Sequence, residues 1–240
     1  MLILSELCEG GTLLGFIERQ GHRVPEAGVL AVMKEVVAGV KHMHALGIAH
    51  RDLKVENILS QDGRWKLCDF GSASGEVLDY NSATKLQISK AIESFERYTT
   101  LMYRPPEMLD QYLGYRVDLK VDIWMLGCVL YSLCFGRHPF QEAQTLAIIN
   151  AHYQLFPSET LVSPKLCDLI RLMLTPNPDK RPTIWELEVI LESFSSLESI
   201  PLSDEAKEIK RRQEEQERVR NGIRLPSKSQ KEEKKQEMLP

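Results

Sequence analysis

The stretch HRDLKVEN, His50 to Asn57, places a carboxylate, an ammonium group and a carboxamide between Asp52 and Asn57. A carboxylate can orient an attacking hydroxyl, an ammonium can stand beside a migrating phosphoryl group, and carboxamide oxygen suits a hard cation. Twelve residues after Asn57 comes DFG, whose Asp69 adds a second oxygen donor. Between them, NILS and WKLCDF are short extended pieces joined by QDGR, a pattern that predicts a small β-hairpin. The chemical groups would then stand on two loops flanking that hairpin.

Towards the N-terminus, LILSEL reads as a short apolar strand closed by CEGGT, and Leu13, Leu14, Phe16 and Ile17 predict a short helix. Pro25 opens a long helix in which Val29, Met33, Val36, Val40 and Met43 recur at steps of three and four, with Gly47 as its stop. Residues 72–100 are polar and without clear periodicity, so they read as a functional or disordered loop. VDIWMLGCVLYSLCFG, from Val121 to Gly136, is apolar nearly all round and predicts a buried central helix. An amphipathic stretch follows near 141–153. Ser163 and Pro164 then cap a helix over KLCDLIRLML, and TIWELEVILESF forms another. The expectation is a mainly α domain with one small hairpin, ending near residue 200.

The formal charge is −4, and the last forty residues hold eleven Lys/Arg against nine Asp/Glu, leaving about −6 for residues 1–200. No basic field for nucleic acid is present. Cys8, Cys68, Cys128, Cys134 and Cys167 are odd in number, form no CxxC pair and sit mostly in apolar runs. They read as reduced core thiols of a cytosolic or nuclear protein. No apolar run is long enough for a membrane span. His44 and His50 have no third residue at metal-ligand spacing. From Asp204 to Arg220 six positive and six negative charges alternate, which predicts a solvated helix, with a partner-binding helix as the alternative. The end of the chain, SKSQKEEKKQEMLP, reads as a disordered tail.

The motifs continue with PPE from Pro105 to Glu107, DIWMLG from Asp122 and DKRP containing Arg181. In this order they resemble a eukaryotic Ser/Thr protein kinase, with the fold of its large lobe. The resemblance implies ATP and Mg²⁺ as cofactors and a protein Ser/Thr substrate. Asp52 would accept the substrate hydroxyl proton, Lys54 would touch the γ-phosphate, and Asn57 and Asp69 would hold magnesium. Arg51 resembles the arginine that pairs with a phosphorylated activation segment, and Thr100 the threonine that hydrogen-bonds Asp52 and Lys54. Glu107 resembles the partner of a buried ion pair with Arg181, and Asp122 the aspartate that holds the HRD backbone. At the front, backbone groups of Glu6 and Cys8 would meet the adenine edge, with Ser5 as gatekeeper and Leu59 as the pocket floor. Cys68 would line the same pocket or lie inert in the core.

CDFGSAS, a segment of 39 residues from Asp69 to Glu107, and its end YTTLMYRPPEML are similar to the Numb-associated kinases, as is VLYSLCFGRHPF. That likeness implies clathrin-adaptor subunits as substrates, and a cytoplasmic location peripheral to endocytic membranes. Ser72, Ser82, Thr84, Ser89 and Ser94 are among the hydroxyls of that segment open to phosphorylation.

A kinase also needs a Gly-rich loop, a strand lysine and a helix glutamate ahead of the hinge, and EGG at Glu9 to Gly11 lacks the spacing of that loop. Residues 1–11 read as the last small-lobe strand and hinge, 12–200 as the large lobe, 201–221 as the charged helix and 222–240 as the tail. Met1 is accordingly expected to be an internal methionine of a longer kinase. The alternative is an inactive half-kinase that serves as a binding scaffold.

Overall fold

The computed structural model describes residues 5–155 and 162–220. The expected tail at 222–240 and the start of the expected LILSEL strand lie outside the described residues, and among the described residues Ser5–Cys8 pair with no strand.

The architecture is mostly helical, with one two-stranded antiparallel sheet among the described residues. Helix α1 (Leu13–Arg19) starts at Thr12, whose hydroxyl accepts the N–H of Gly15 at 3.1 Å. Helix α2 (Glu26–Ala45) begins after Pro25 and turns Val29, Val32, Met33, Val36, Val37, Val40 and His44 inward. Strands β1 (Ile58–Gln61) and β2 (Arg64–Leu67) pair in the register Ile58↔Leu67 to Gln61↔Arg64. Asp62 and Gly63 form the two-residue turn, with φ of 51° and 75°, matching the right-handed twist of the strands.

Helix α5 (Lys120–Phe135) is buried on every side from Val121 to Cys134, as its unbroken apolar sequence predicts. Against it pack α2 and α7 (Pro164–Met173), the latter capped by Ser163 with Pro164 in its first turn. Helix α8 (Ile184–Glu192) carries a capping box between Thr183 and Glu186 and lies along α2. Gly127 lets α7 approach closely, because a Cβ there would sit 2.8 Å from Leu174 Cδ2.

Three expectations change. Residues 72–100 are not an unstructured loop: α3 (Lys85–Tyr98) opens on a Thr84/Gln87 capping box and buries Phe95, with Ile88, Ala91 and Ile92 on the same half-covered face. The amphipathic run at 141–153 yields only α6 (Thr145–Ile149), since left-handed residues Glu142 and Ala151 interrupt the chain on either side. The charged segment forms α9 (Asp204–Arg220), but it docks rather than standing in solvent. Ala206 and Ile209 are buried beneath it, Lys210 meets Asp168 at 2.9 Å, and Gln213 accepts from Arg171 Nε at 2.8 Å. A short helix α4 (Pro106–Leu109) completes the order between α3 and α5. Among the described residues no helix is long and apolar enough to cross a membrane.

Candidate active site

The loop from His50 to Asn57 lies between α2 and the hairpin, and α5 fixes it from below. Asp122 is fully buried, and its carboxylate accepts the backbone N–H of His50 at 2.8 Å and of Arg51 at 2.9 Å. His44 Nε2 shares the same carboxylate at 2.9 Å, so this histidine belongs to the loop's support rather than to a metal site. Arg51 has φ of 66°, a left-handed conformation costly for a side chain larger than glycine. The two charge-assisted bonds to Asp122 offset that strain.

Held this way, Asp52 is 4% exposed and aims its carboxylate at a compact polar cluster. Thr100 donates both its backbone N–H and its hydroxyl to Asp52 Oδ1, each at 2.9 Å. Lys54 Nζ lies 3.0 Å from Asp52 Oδ2 and 2.9 Å from Thr100 Oγ1. Asn57 Nδ2 donates to Asp52 at its backbone oxygen (2.9 Å) and at Oδ2 (3.1 Å). The carboxamide nitrogen is thus committed to Asp52, which leaves Asn57 Oδ1 as an oxygen donor. Asp69 stands at the other end of the hairpin in a left-handed conformation, φ 61°, exposed and with only a 3.4 Å contact to the N–H of Gly71. Asn57 and Cys68 are joined by a backbone bond of 3.0 Å, and His50 Nε2 lies 3.1 Å from Cys68 O, so the two loops are tied where the donors sit. Two such oxygens suit Mg²⁺, which tolerates few protein ligands. Among the described residues no group of three His, Cys, Asp or Glu side chains forms a metal cage.

The segment ahead of α1 crosses β1: Gly10 N–H donates to Ser60 O at 2.9 Å, and Ser60 N–H to Gly11 O at 2.8 Å. A Cβ on Gly10 would fall 2.6 Å from Ser60 O, so the crossing requires glycine. Glu6 is exposed and bonded by Lys66 Nζ at 2.6 Å, Ser5 is exposed, and Leu59 is half-buried. Cys8 and Cys68 are also half-buried, unlike the buried Cys128, Cys134 and Cys167, so neither is the core thiol that its apolar neighbours suggest. Partial burial pushes the Cys68 thiol up, with Asp69 adding to the effect.

Arg51 does not project freely. Its Nη2 donates to the backbone oxygen of Glu76 at 2.5 Å, its guanidinium lies 6.0 Å from the Phe95 ring centroid, and burial lowers its pKa. Further along, Glu107 and Arg181 form a fully buried bidentate pair at 2.6 and 2.8 Å. Arg181 also caps the oxygens of Thr175 and Pro176 and lies 5.1 Å from the Trp124 ring. Beside Thr100 a cavity of about 290 Å³ opens, lined by Val55, Glu56, Met102, Tyr103 and His138 among others. Sequence reasoning gives His44 no role beyond a rejected metal site, and leaves Tyr103 and His138 as unassigned members of YTTLMYRPPEML and VLYSLCFGRHPF. For His44 the signal is position, since it follows Val40 by one helical turn.

Residues 1–192 match the family described as protein kinase domain, and the chain belongs to that family. It is 40% identical over 194 residues, 78% of its length, to a probable serine/threonine-protein kinase of Dictyostelium discoideum. It is 40% identical to the actin-regulating kinase PRK1 and 38% identical to actin-regulating kinase 1, both of Saccharomyces cerevisiae, over 84% of its length in each case. The chain spans 17%, 25% and 31% of these relatives' own lengths.

Proposed function

We propose that this chain carries the catalytic loop of a Mg-ATP-dependent protein Ser/Thr kinase. The observation that best supports the reading is the convergence of Thr100, Lys54 and Asn57 on the Asp52 carboxylate. A carboxylate pinned on both oxygens presents a fixed acceptor to a substrate hydroxyl, and Lys54 beside it supplies positive charge where the phosphoryl group passes. Asn57 and Asp69 would hold magnesium, and Glu6, Cys8, Leu59 and Cys68 would border the nucleotide, with Ser5 at its back. Bound Mg-ATP supplies the phosphoryl group and the charge neutralisation its transfer needs.

The finer reading is a kinase of the Numb-associated type, part of a longer protein, acting in the cytoplasm on threonines of clathrin-adaptor subunits at endocytic membranes. The likeness of CDFGSAS, YTTLMYRPPEML and VLYSLCFGRHPF supports it; the two yeast relatives that share this region at 38–40% identity are named for actin regulation. Residues 1–11 would be the hinge and the end of a small-lobe strand, and 12–200 the large lobe.

The test is transfer of labelled phosphate from Mg-ATP to adaptor subunits, with Asp52→Asn expected to lower turnover by about 10² to 10⁴. Near-normal turnover by that variant would remove Asp52 from its role. Transfer to other proteins but not to adaptors would discard only the substrate reading.

A further inference from the structure

His138 lies in VLYSLCFGRHPF without any role assigned to it there, and is 8% exposed in the turn that follows α5. Its Nδ1 accepts the backbone N–H of Phe140 at 3.1 Å. A ring nitrogen that accepts carries no proton, so the neutral imidazole bears its hydrogen on Nε2. Among the described residues that nitrogen is buried without any nitrogen or oxygen partner. Buried donors are nearly always satisfied, so this one calls for an explanation.

The ring of Tyr103 lies against it. The two centroids are 4.3 Å apart with the planes at 64°, an edge-to-face arrangement that leaves no space for an intervening atom. The other adjacent ring, Phe140, is 6.1 Å away. The face of a phenol ring is negatively polarised and accepts an N–H at its centre.

Tyr103 is not a remote core residue. It ends the short turn Leu101–Tyr103, and its backbone N–H donates to Thr100 O at 2.9 Å. Thr100 is the residue that grips Asp52 and Lys54. We propose that His138 is a positioning residue: its Nε2–H donates to the face of Tyr103 and so fixes the turn that delivers Thr100 to Asp52 and Lys54. The clamp stands on the geometry alone, and only its catalytic consequence rests on the kinase reading above.

The experiment is ¹⁵N-edited NMR of the chain together with steady-state kinetics. The Hε2 proton of His138 should exchange slowly and be shifted upfield by the Tyr103 ring, and Tyr103→Leu should abolish the shift. His138→Phe keeps the ring and its volume but removes the donor. It should speed exchange of the Thr100 amide, which donates to Asp52, by about three- to tenfold, as loss of one weak bond would. In kinetics His138→Phe should lower kcat by a similar factor with KM for ATP unchanged, and the drop should vanish in a Thr100→Ala background. A fast-exchanging, unshifted Hε2 overturns the proposal, and if His138→Phe does not fold this wild-type measurement decides alone. Unchanged Thr100 exchange in a folded His138→Phe protein also overturns it, as does an undiminished kcat effect with Thr100 removed. Absence of phosphotransfer by the wild-type chain would remove only the catalytic consequence in this chain, while the NMR measurements would still decide the clamp.

Discussion

Asp122 reaches from the buried helix α5 to the backbone N–H of Arg51 at 2.9 Å, fixing a left-handed residue immediately before Asp52. The same carboxylate takes the N–H of His50 and the ring of His44. Asp122→Ala would leave three buried donors without their acceptor. Each unsatisfied donor costs about 1–3 kcal/mol, so a loss on the order of 4 kcal/mol is expected in urea unfolding. Asp122→Asn keeps one acceptor oxygen and should cost about half as much.

Glu107 and Arg181 are both wholly shielded from water. Glu107→Gln would strand the guanidinium in a site where only neutral oxygens remain, at a cost of about 3–5 kcal/mol. Loss of both charges should cost less than the two single changes added together. A double-mutant cycle by chemical denaturation measures the difference, and strict additivity would mean that the pair is not coupled.

Burial depresses the pKa of His138 from 6.5 to about 3 in the folded chain. Below pH 6.5 the unfolded chain binds a proton that the folded one refuses, so His138 contributes stability above that pH. The contribution is lost as pH falls towards 3 and amounts to a few kcal/mol. Glu56 and Arg137 line the same cavity. The useful measurement is therefore the difference between wild type and His138→Phe from pH 7 to 4. Stability should fall more steeply in the wild type, and parallel curves would contradict the assignment.

Ile209 is 2% exposed beneath α9, although twelve of the seventeen residues of that helix are charged. Ile209→Asp would place a carboxylate in that contact and should release the helix, costing about 3 kcal/mol. The nearby exposed change Arg211→Ala removes only surface pairs to Glu208 and Glu215 and should leave the melting temperature close to that of the wild type. Thermal melts of the two variants compare docking with surface charge directly.

What the sequence reveals depends on how local the cause is. Helix α5 is legible because burial on all sides needs an unbroken apolar run, and α7 because Ser163 and Pro164 announce its start. The Asp52 cluster is partly legible, since Lys54 and Asn57 lie within one short loop of it. Thr100 stands 48 residues away and enters only through a family resemblance. Helix α3 escapes notice because Ile88, Ala91, Ile92 and Phe95 are the sole apolar face of an otherwise polar stretch. The docking of α9 escapes for a related reason: Ala206 and Ile209 are too few to form a stripe, and their burial is decided by Asp168 and Arg171 on another helix. Pairs such as His138 with Tyr103 leave no periodic signal, because each residue is placed by a different part of the chain.

The segment between Asp69 and Glu107 is stitched to the body of the protein at several separate points. Ser74 bridges Ala49, Leu78 bridges Val117, and the Tyr80 hydroxyl bonds Glu107 O at 2.9 Å, all before α3 begins. After α3, Thr100 is anchored at Asp52 by its backbone N–H and its hydroxyl. Helix α3 therefore hangs between two independently fastened ends. A protease that cuts the chain once within α3 would leave each cut end moored to its own set of contacts. The nicked molecule would remain assembled in native buffer and come apart into two fragments only when denatured.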